Sequence, residues 1–424
     1  MKILVVTYGT EGDTRPLAAL CRGLRDAGHE ASLLADRSTL GSAAALGVPA
    51  QPLSGDMRAA LEPGAVLSSA VARKAGFKRT AQALAWIANA HTRDWMREVK
   101  AASEGCDVLV FSGLAAFVGV SVAEYRGIKA IGAGFIPITP TKAFPSPFLP
   151  PGALPHWLNR LSHRFANAML WRVFRDATNA ARAEICGLPP RRAVWTEHPM
   201  LYGVSPSLVG RPADWPANAL ACGQWKMADP LWTPPAALQA FLDAGEPPMY
   251  IGFGSMAGFD PAEMASMLIA AAGGRRVLFY PGWSGIDASG LPGNFFVLGD
   301  TPHGWLFPRT SLVVHHGGAG TTHSAAAAGV PAVVVPFAAD QFFWADRLWR
   351  LGVAARPLPG ARLSSAGLAR AIACADGADV KARAGALGRR MAREQGVADA
   401  VATIERWVAT GDGEDPLGVQ PARA

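Results

Sequence analysis

The run His315-His316-Gly317-Gly318-Ala319-Gly320-Thr321-Thr322 constrains this chain more than any other stretch. Apolar Leu312-Val313-Val314 precedes it and the alanine-rich Ser324–Ala328 follows. That order predicts a strand, a glycine turn and a helix start. The first turn of a helix presents N–H groups with no intrahelical partner at the positive end of its dipole, which together make an anion site. Glycines let the backbone approach a phosphate closely. His316 adds an imidazole and Thr321 a hydroxyl. The pattern points to a nucleotide diphosphate held late in the chain rather than at its start.

Alternating strand and helix patterns on both sides of this run predict two α/β domains. In the first, Lys2–Thr7, Ala31–Ala35, Asp107–Phe111 and Lys129–Ala133 read as strands. Leu17, Leu20, Cys21 and Leu24 recur at helical spacing before Gly28, and Val118–Tyr125 reads as a second helix. In the second, Met249–Phe253, Val277–Tyr280, Phe295–Leu298, Leu312–His315 and Ala332–Val335 read as strands. Pro261–Ala272, Thr321–Ala328 and Gln341–Leu351 read as helices. This βαβ wiring predicts two Rossmann-like domains with parallel sheets facing across a cleft. The expected divisions are 1–212, 213–395, a final helix at 396–410 and a polar tail at 411–424. Pro206–Pro235 is read as the connection. A length of 424 residues, 50% of them hydrophobic and 17% charged, fits two soluble domains.

Other classes find little support. The five cysteines are scattered, with no C-x-x-C pair, which argues against a disulfide framework or zinc site. No secretory leader or membrane-spanning run is read, so a cytoplasmic location is expected. The net charge of +7 and pI of about 9.4 suit an anionic substrate, but no basic run is dense enough to mark a nucleic-acid surface. Val71–Val99 mixes Arg73, Lys74, Lys78 and Arg79 with Phe77, Leu84, Trp86, Ile87 and Trp95. A helix flanking the acceptor cleft is the preferred reading; weak peripheral membrane contact is the alternative.

Further candidates lie at the carboxyl ends of predicted strands, where open α/β sheets bind ligands. Gly9-Thr10-Glu11-Gly12-Asp13-Thr14 follows the first strand and lacks the G-x-G-x-x-G spacing of a nicotinamide or flavin site. Asp13 is either the N-cap of the Leu17 helix, with Pro16 in its first turn, or a base at the cleft. Gly252-Phe253-Gly254-Ser255 brings a hydroxyl to a second turn. Asp340-Gln341 offers a carboxylate and an amide suited to sugar hydroxyls, or else Asp340 caps a helix over a core Trp344. Gly282-Trp283 and Asp300–Pro308 are candidates to border a base pocket. No D-x-D sits at a strand end, so no metal site is expected.

On Gly9–Pro16, Tyr202–Trp215, Pro302–Thr322 and Val335–Trp344, the chain resembles the inverting GT-B glycosyltransferases of family 1. Within them it resembles the branch holding sterol and bacterial natural-product glycosyltransferases. The resemblance implies Asp13 as general base. It implies His316, Gly318, Gly320, Thr321 and Ser255 on the diphosphate, and Asp340 with Gln341 on the donor sugar. Trp283 and the Thr301 backbone would lie around the base. Ser112 stands where relatives carry an Asp that orients a catalytic His, so no relay partner for Asp13 is evident. The implied donor is a UDP-sugar, UDP-glucose foremost, with no tightly bound cofactor. The implied acceptor is a hydrophobic alcohol or phenol, bound by Phe135, Ile136 and the Pro140–Trp157 loop. A TDP-deoxysugar transferase, a UDP-sugar isomerase and a non-catalytic binding protein remain as alternatives.

Overall fold

The computed structural model describes residues 1–61, 77–227, 232–254, 260–282 and 286–410. The first unit runs β1 (Lys2–Val6), α1 (Glu11–Asp26), β2 (Glu30–Asp36), α2 (Gly41–Ala45), β3 (Ala50–Leu53), α3 (Met57–Leu61), α4 (Phe77–Ala102) and β4 (Val108–Phe111). It continues through α5 (Ala116–Arg126), β5 (Lys129–Gly134), α6 (Asn159–Ala181), β6 (Met200–Tyr202) and β7 (Ala219–Ala221). The second runs α7 (Ala236–Asp243), β8 (Met249–Gly252), α8 (Pro261–Ala272), β9 (Val277–Tyr280), β10 (Phe295–Val297) and α9 (His303–Leu306). It closes with β11 (Leu312–His315), α10 (Ala319–Ala327), β12 (Ala332–Val334), α11 (Gln341–Arg350), α12 (Ser365–Ala375), α13 (Ala378–Met391) and α14 (Gly396–Thr410).

Both sheets are wholly parallel, with strand orders β3-β2-β1-β4-β5-β6-β7 and β10-β9-β8-β11-β12. Their strands are near-continuous apolar runs because helices bury both faces; Ile3 to Val6 and Leu312 to Val314 are at most 1% exposed. Each sheet changes direction once, between β1 and β4 and between β8 and β11. Chain reversals of that kind open a crevice beyond the strand ends. Asp13 follows β1, Gly254 follows β8 and His316 follows β11, so three candidates fall at the two crevices.

β7 pairs in parallel with β6. The first sheet therefore extends past residue 212, and part of the Pro206–Pro235 stretch read as connection is strand. The units share one apolar cluster, in which Phe144, Tyr202 and Trp215 pack with Val334, Phe343 and Trp344. α14 packs on α1, and its Ile404 and Trp407 join the cluster containing Ile3, Val5 and Leu17. Of Val71–Val99, Ile87, Trp95, Met96 and Val99 face the core and Trp86 is exposed. Arg73 and Lys74, and the side chains of Phe77, Lys78, Arg79 and Leu84, lie outside what is described. Among the described residues no helix is long and apolar enough to cross a membrane.

Candidate active site

α1 begins at Glu11, with Thr10 as its N-cap residue. Asp13 is therefore not the N-cap that one reading allowed; it is the third helical residue. Its Oδ2 accepts the Thr10 N–H at 2.8 Å and faces the Thr10 hydroxyl at 3.4 Å. Pro16 lies in the second turn rather than the first, and its missing N–H leaves the Gly12 carbonyl without its helical donor. Burial raises the Asp13 carboxyl above the usual carboxylate range, against the lowering effect of the two Thr10 contacts. Asp13 has no described partner other than Thr10, and Ser112 instead bonds through its N–H to the Val6 carbonyl.

Across the cleft, Asp340 stands at the N-cap position of α11 but makes no capping bond. Its Oδ2 accepts the Trp344 indole N–H at 3.0 Å, so Trp344 is more than a core contact. Burial, with the Asp13 charge adding to it, pushes Asp340 up to about 6, against the lowering effect of the Trp344 bond. The Asp13 charge acts on Asp340 from the other unit, so the two carboxylates lie in one electrostatic neighbourhood. Gln341 has its carbonyl oxygen engaged within the chain. Its Oε1 accepts the N–H groups of Phe337 and Ala338 at 2.8 and 3.1 Å, so its carbonyl holds the turn that presents Asp340. The residue between, Ala339, has φ of 49°, a left-handed conformation costly for a side chain bearing Cβ.

The glycine run forms the predicted turn. Gly318 is the N-cap of α10, and the first helical bond runs from the Thr322 N–H to the Gly318 carbonyl. The amides of Ala319, Gly320 and Thr321 thus head the helix without intrahelical acceptors. Gly317 has φ of 93°, and a Cβ there would meet Val334 at 2.9 Å. His315 is fully buried, and its Nδ1 accepts the Gly317 N–H at 3.1 Å, shaping the turn from within. The His316 ring lies between Gly254 and Gly318, where added Cβ atoms would stand 2.9 and 2.6 Å from it. Its Nδ1 is buried and has no partner among the described residues. Burial lowers His316 to about 4 and His315 to about 3, so both rings are neutral at pH 7 and each keeps one N–H donor.

Among the neighbours of this site, Tyr280 carried no sequence signal as a site residue, whereas Gly282, Asp300, Thr301 and His303 stand in the stretches read as bordering a base pocket. His303 stacks on Phe307 at 4.3 Å and is lowered to about 4 by burial, with a further push from Arg15 of the first unit. Tyr280 donates to Asp300 at 3.2 Å. Gly282 has φ of 54°, and a Cβ there would strike the Gly254 carbonyl. Thr301 is partly exposed, and its hydroxyl donates to the Gly299 carbonyl at 3.1 Å. Ser255 and Trp283 lie outside the described residues.

On the acceptor side, Phe135 meets Trp225 edge-on at 5.6 Å. Phe144 is buried against Phe343 of α11 at 5.4 Å. That part of the Pro140–Trp157 loop joins the units together instead of lining an open pocket. Among the described residues no three His, Cys, Asp or Glu side chains gather in a way that could hold a metal ion.

Two parallel sheets with facing crevices, a glycine turn heading a helix at one and a buried carboxylate with a raised pKa at the other, make an architecture suited to group transfer between two ligands. The family profile "Erythromycin biosynthesis protein CIII-like, C-terminal domain" matches residues 274–403. The O-mycaminosyltylonolide 6-deoxyallosyltransferase of Streptomyces fradiae is 35% identical over 97% of this chain and 98% of its own. A sterol 3-beta-glucosyltransferase of Arabidopsis thaliana is 31% identical over 96% of this chain and 68% of its own. The solved glycosyltransferase VinC, in complex with DTDP, shares the fold with a TM-score of 0.68 at 18% identity, over 97% of this chain and 100% of its own. The chain belongs to the GT-B glycosyltransferases, in the family that includes these natural-product and sterol enzymes.

Proposed function

We propose that this enzyme transfers a sugar, with inversion, from a UDP-sugar to a hydroxyl of a hydrophobic small molecule such as a sterol-like, polyketide or phenolic aglycone. The observation that carries this is the approach of Asp13 and Asp340 from opposite units beside the His316 turn. The acceptor oxygen attacks the anomeric carbon on the face opposite the diphosphate. Asp13 takes the hydroxyl proton as the new C–O bond forms, and the bond from the anomeric carbon to the diphosphate oxygen breaks. General-base help of this kind contributes about 10² to 10⁴-fold. The departing charge meets the first-turn amides of α10, the neutral His316 N–H and the Thr321 hydroxyl, with Gly318 and Gly320 allowing close approach. The family resemblance assigns Ser255 to the diphosphate, and Trp283 and Thr301 to the base. Asp340 accepts a sugar hydroxyl, and Gln341, whose carbonyl oxygen fixes the turn, donates its amide N–H to the sugar. An α-linked donor then gives a β-glycoside.

UDP-glucose is the favoured donor, in keeping with the glucosyl-transferring relative. A TDP-deoxysugar is the second reading, favoured by the relative named for 6-deoxyallose and by the DTDP complex of VinC. Calorimetric titration with UDP, TDP and UDP-glucose separates the two. Tighter UDP binding supports the first reading and tighter TDP binding the second. Asp13→Asn is expected to keep nucleotide affinity within about twofold and to lower turnover by at least about 10²-fold. Retention of most turnover in that variant would remove Asp13 as base.

A further inference from the structure

The outer face of α6 is apolar where a soluble surface is ordinarily polar. Trp157, in the single turn before the helix, is 79% exposed, Leu161 56%, Phe165 62% and Met169 40%. The four are spaced four residues apart, so each lies about 40° round from the last and together they form one slanting stripe. Trp86 of α4 is also exposed, at 59%. It lies one turn before Asn89, which bonds the Val173 carbonyl of α6 at 3.0 Å, so it stands near the level of Met169. A stripe of large apolar side chains left in water marks a contact surface.

Charge identifies the occupant. Arg160, Arg164 and Arg172 are exposed on the same helix, and among the described residues Arg164 and Arg172 form no ion pair. Asp176, the acid on this stretch, is held by Arg175 at 3.1 Å. A second copy laid on this face would bring arginines against arginines. Aromatic and aliphatic side chains interleaved with arginines suit an anionic bilayer, where apolar groups enter the acyl boundary and guanidinium groups reach the phosphates. We propose that α6 docks this enzyme on an anionic lipid surface.

The opposite face of the same helix holds the acceptor-side loop. Asn159 donates to the Lys142 carbonyl at 2.9 Å, the Ser162 hydroxyl accepts the Ser146 N–H at 2.8 Å, and His163 meets the Phe144 carbonyl at 3.1 Å. Docking through α6 therefore holds that loop one helix diameter, roughly 10 Å, from the lipid boundary where an apolar acceptor concentrates. This consequence rests on the hydrophobic-acceptor reading; the docking itself is scored without turnover.

The test is flotation of the whole protein with phosphatidylcholine vesicles, with and without phosphatidylglycerol. Wild type is expected to float with the anionic vesicles and not with phosphatidylcholine alone. Leu161→Ser with Phe165→Ser should lower the partition at least about tenfold, since each removes large apolar surface from the boundary. Arg164→Gln and Arg172→Gln should each lower it about fivefold and weaken its salt dependence. All sites are exposed, so unchanged melting of the variants confirms an intact fold. Three results overturn the proposal: no flotation of wild type with anionic vesicles, equal flotation of the variants, or a dimer in solution that the Leu161/Phe165 change dissolves.

Discussion

Gly9 lacks a side chain because the Asp13 carboxylate lies where a Cβ would be. An alanine there would strike Asp13 Oδ2 and come within 2.6 Å of its Cγ. Gly9→Ala should therefore displace the proposed base without touching the donor turn of the other unit. Displacement of a reacting group by about 1 Å can lower turnover about 10²-fold. The expected result is a fall in kcat of that order with the donor KM within twofold, read from initial rates at saturating acceptor. A kcat within twofold of wild type would mean that the carboxylate position is unimportant. At this scale the sequence singled out Asp13, His316 and Asp340 by their places after apolar runs and by the family resemblance. It did not convey how they are held. Asp13 as third helical residue, the Trp344 bond to Asp340 and the recruitment of Gln341 to its own turn all depend on side-chain rotamers. The left-handed Ala339 has no residue-type signal, because glycine or asparagine would be expected there.

Elements were legible where apolar runs were long or helical spacing was regular. Val277–Tyr280, Leu312–His315 and Pro261–Ala272 fall where the residue pattern places them. β6 and β7, three residues each, lie within or beside proline- and tryptophan-rich sequence, and β3 contains Pro52. Such short segments carry too few residues to show a period, and their strand character comes from the neighbour they pair with. One junction between elements offers a clean stability test. The fully buried Arg182, just beyond α6, forks onto Glu124 of α5 at 3.0 and 3.1 Å. Glu124→Ala leaves that guanidinium buried with the Pro189 carbonyl as its remaining acceptor, at 3.1 Å. Breaking a buried pair from one side costs about 3–5 kcal/mol. Glu124 is itself partly exposed, so about 3 kcal/mol is expected from the urea midpoint. Glu124→Gln, which keeps a carbonyl acceptor, should lose clearly less. A loss below about 1 kcal/mol for the alanine variant would show that water or Pro189 suffices.

At the scale of the whole molecule, two α/β units were readable from repetition of one wiring, but their contact was not. The shared cluster of Phe144, Tyr202 and Trp215 with Phe343 and Trp344 joins segments far apart in the chain. His323 ties the units through polar atoms as well, its Nε2 accepting the Ser205 N–H at 3.1 Å and its Nδ1 meeting the Ala319 carbonyl at 2.7 Å. This closure brings Asp13 and Asp340 together, and it has a signature in pH. Transfer needs Asp13 ionised, so its rate falls as pH drops through the Asp13 pKa. Burial raises that value, and Asp340 titrates at about 6. kcat/KM should therefore decline on the acid side at a pH above the ordinary carboxylate range. An acid limb at the ordinary carboxylate value would mean that the cleft around Asp13 is not closed in solution. The units would then meet only when donor and acceptor are both bound.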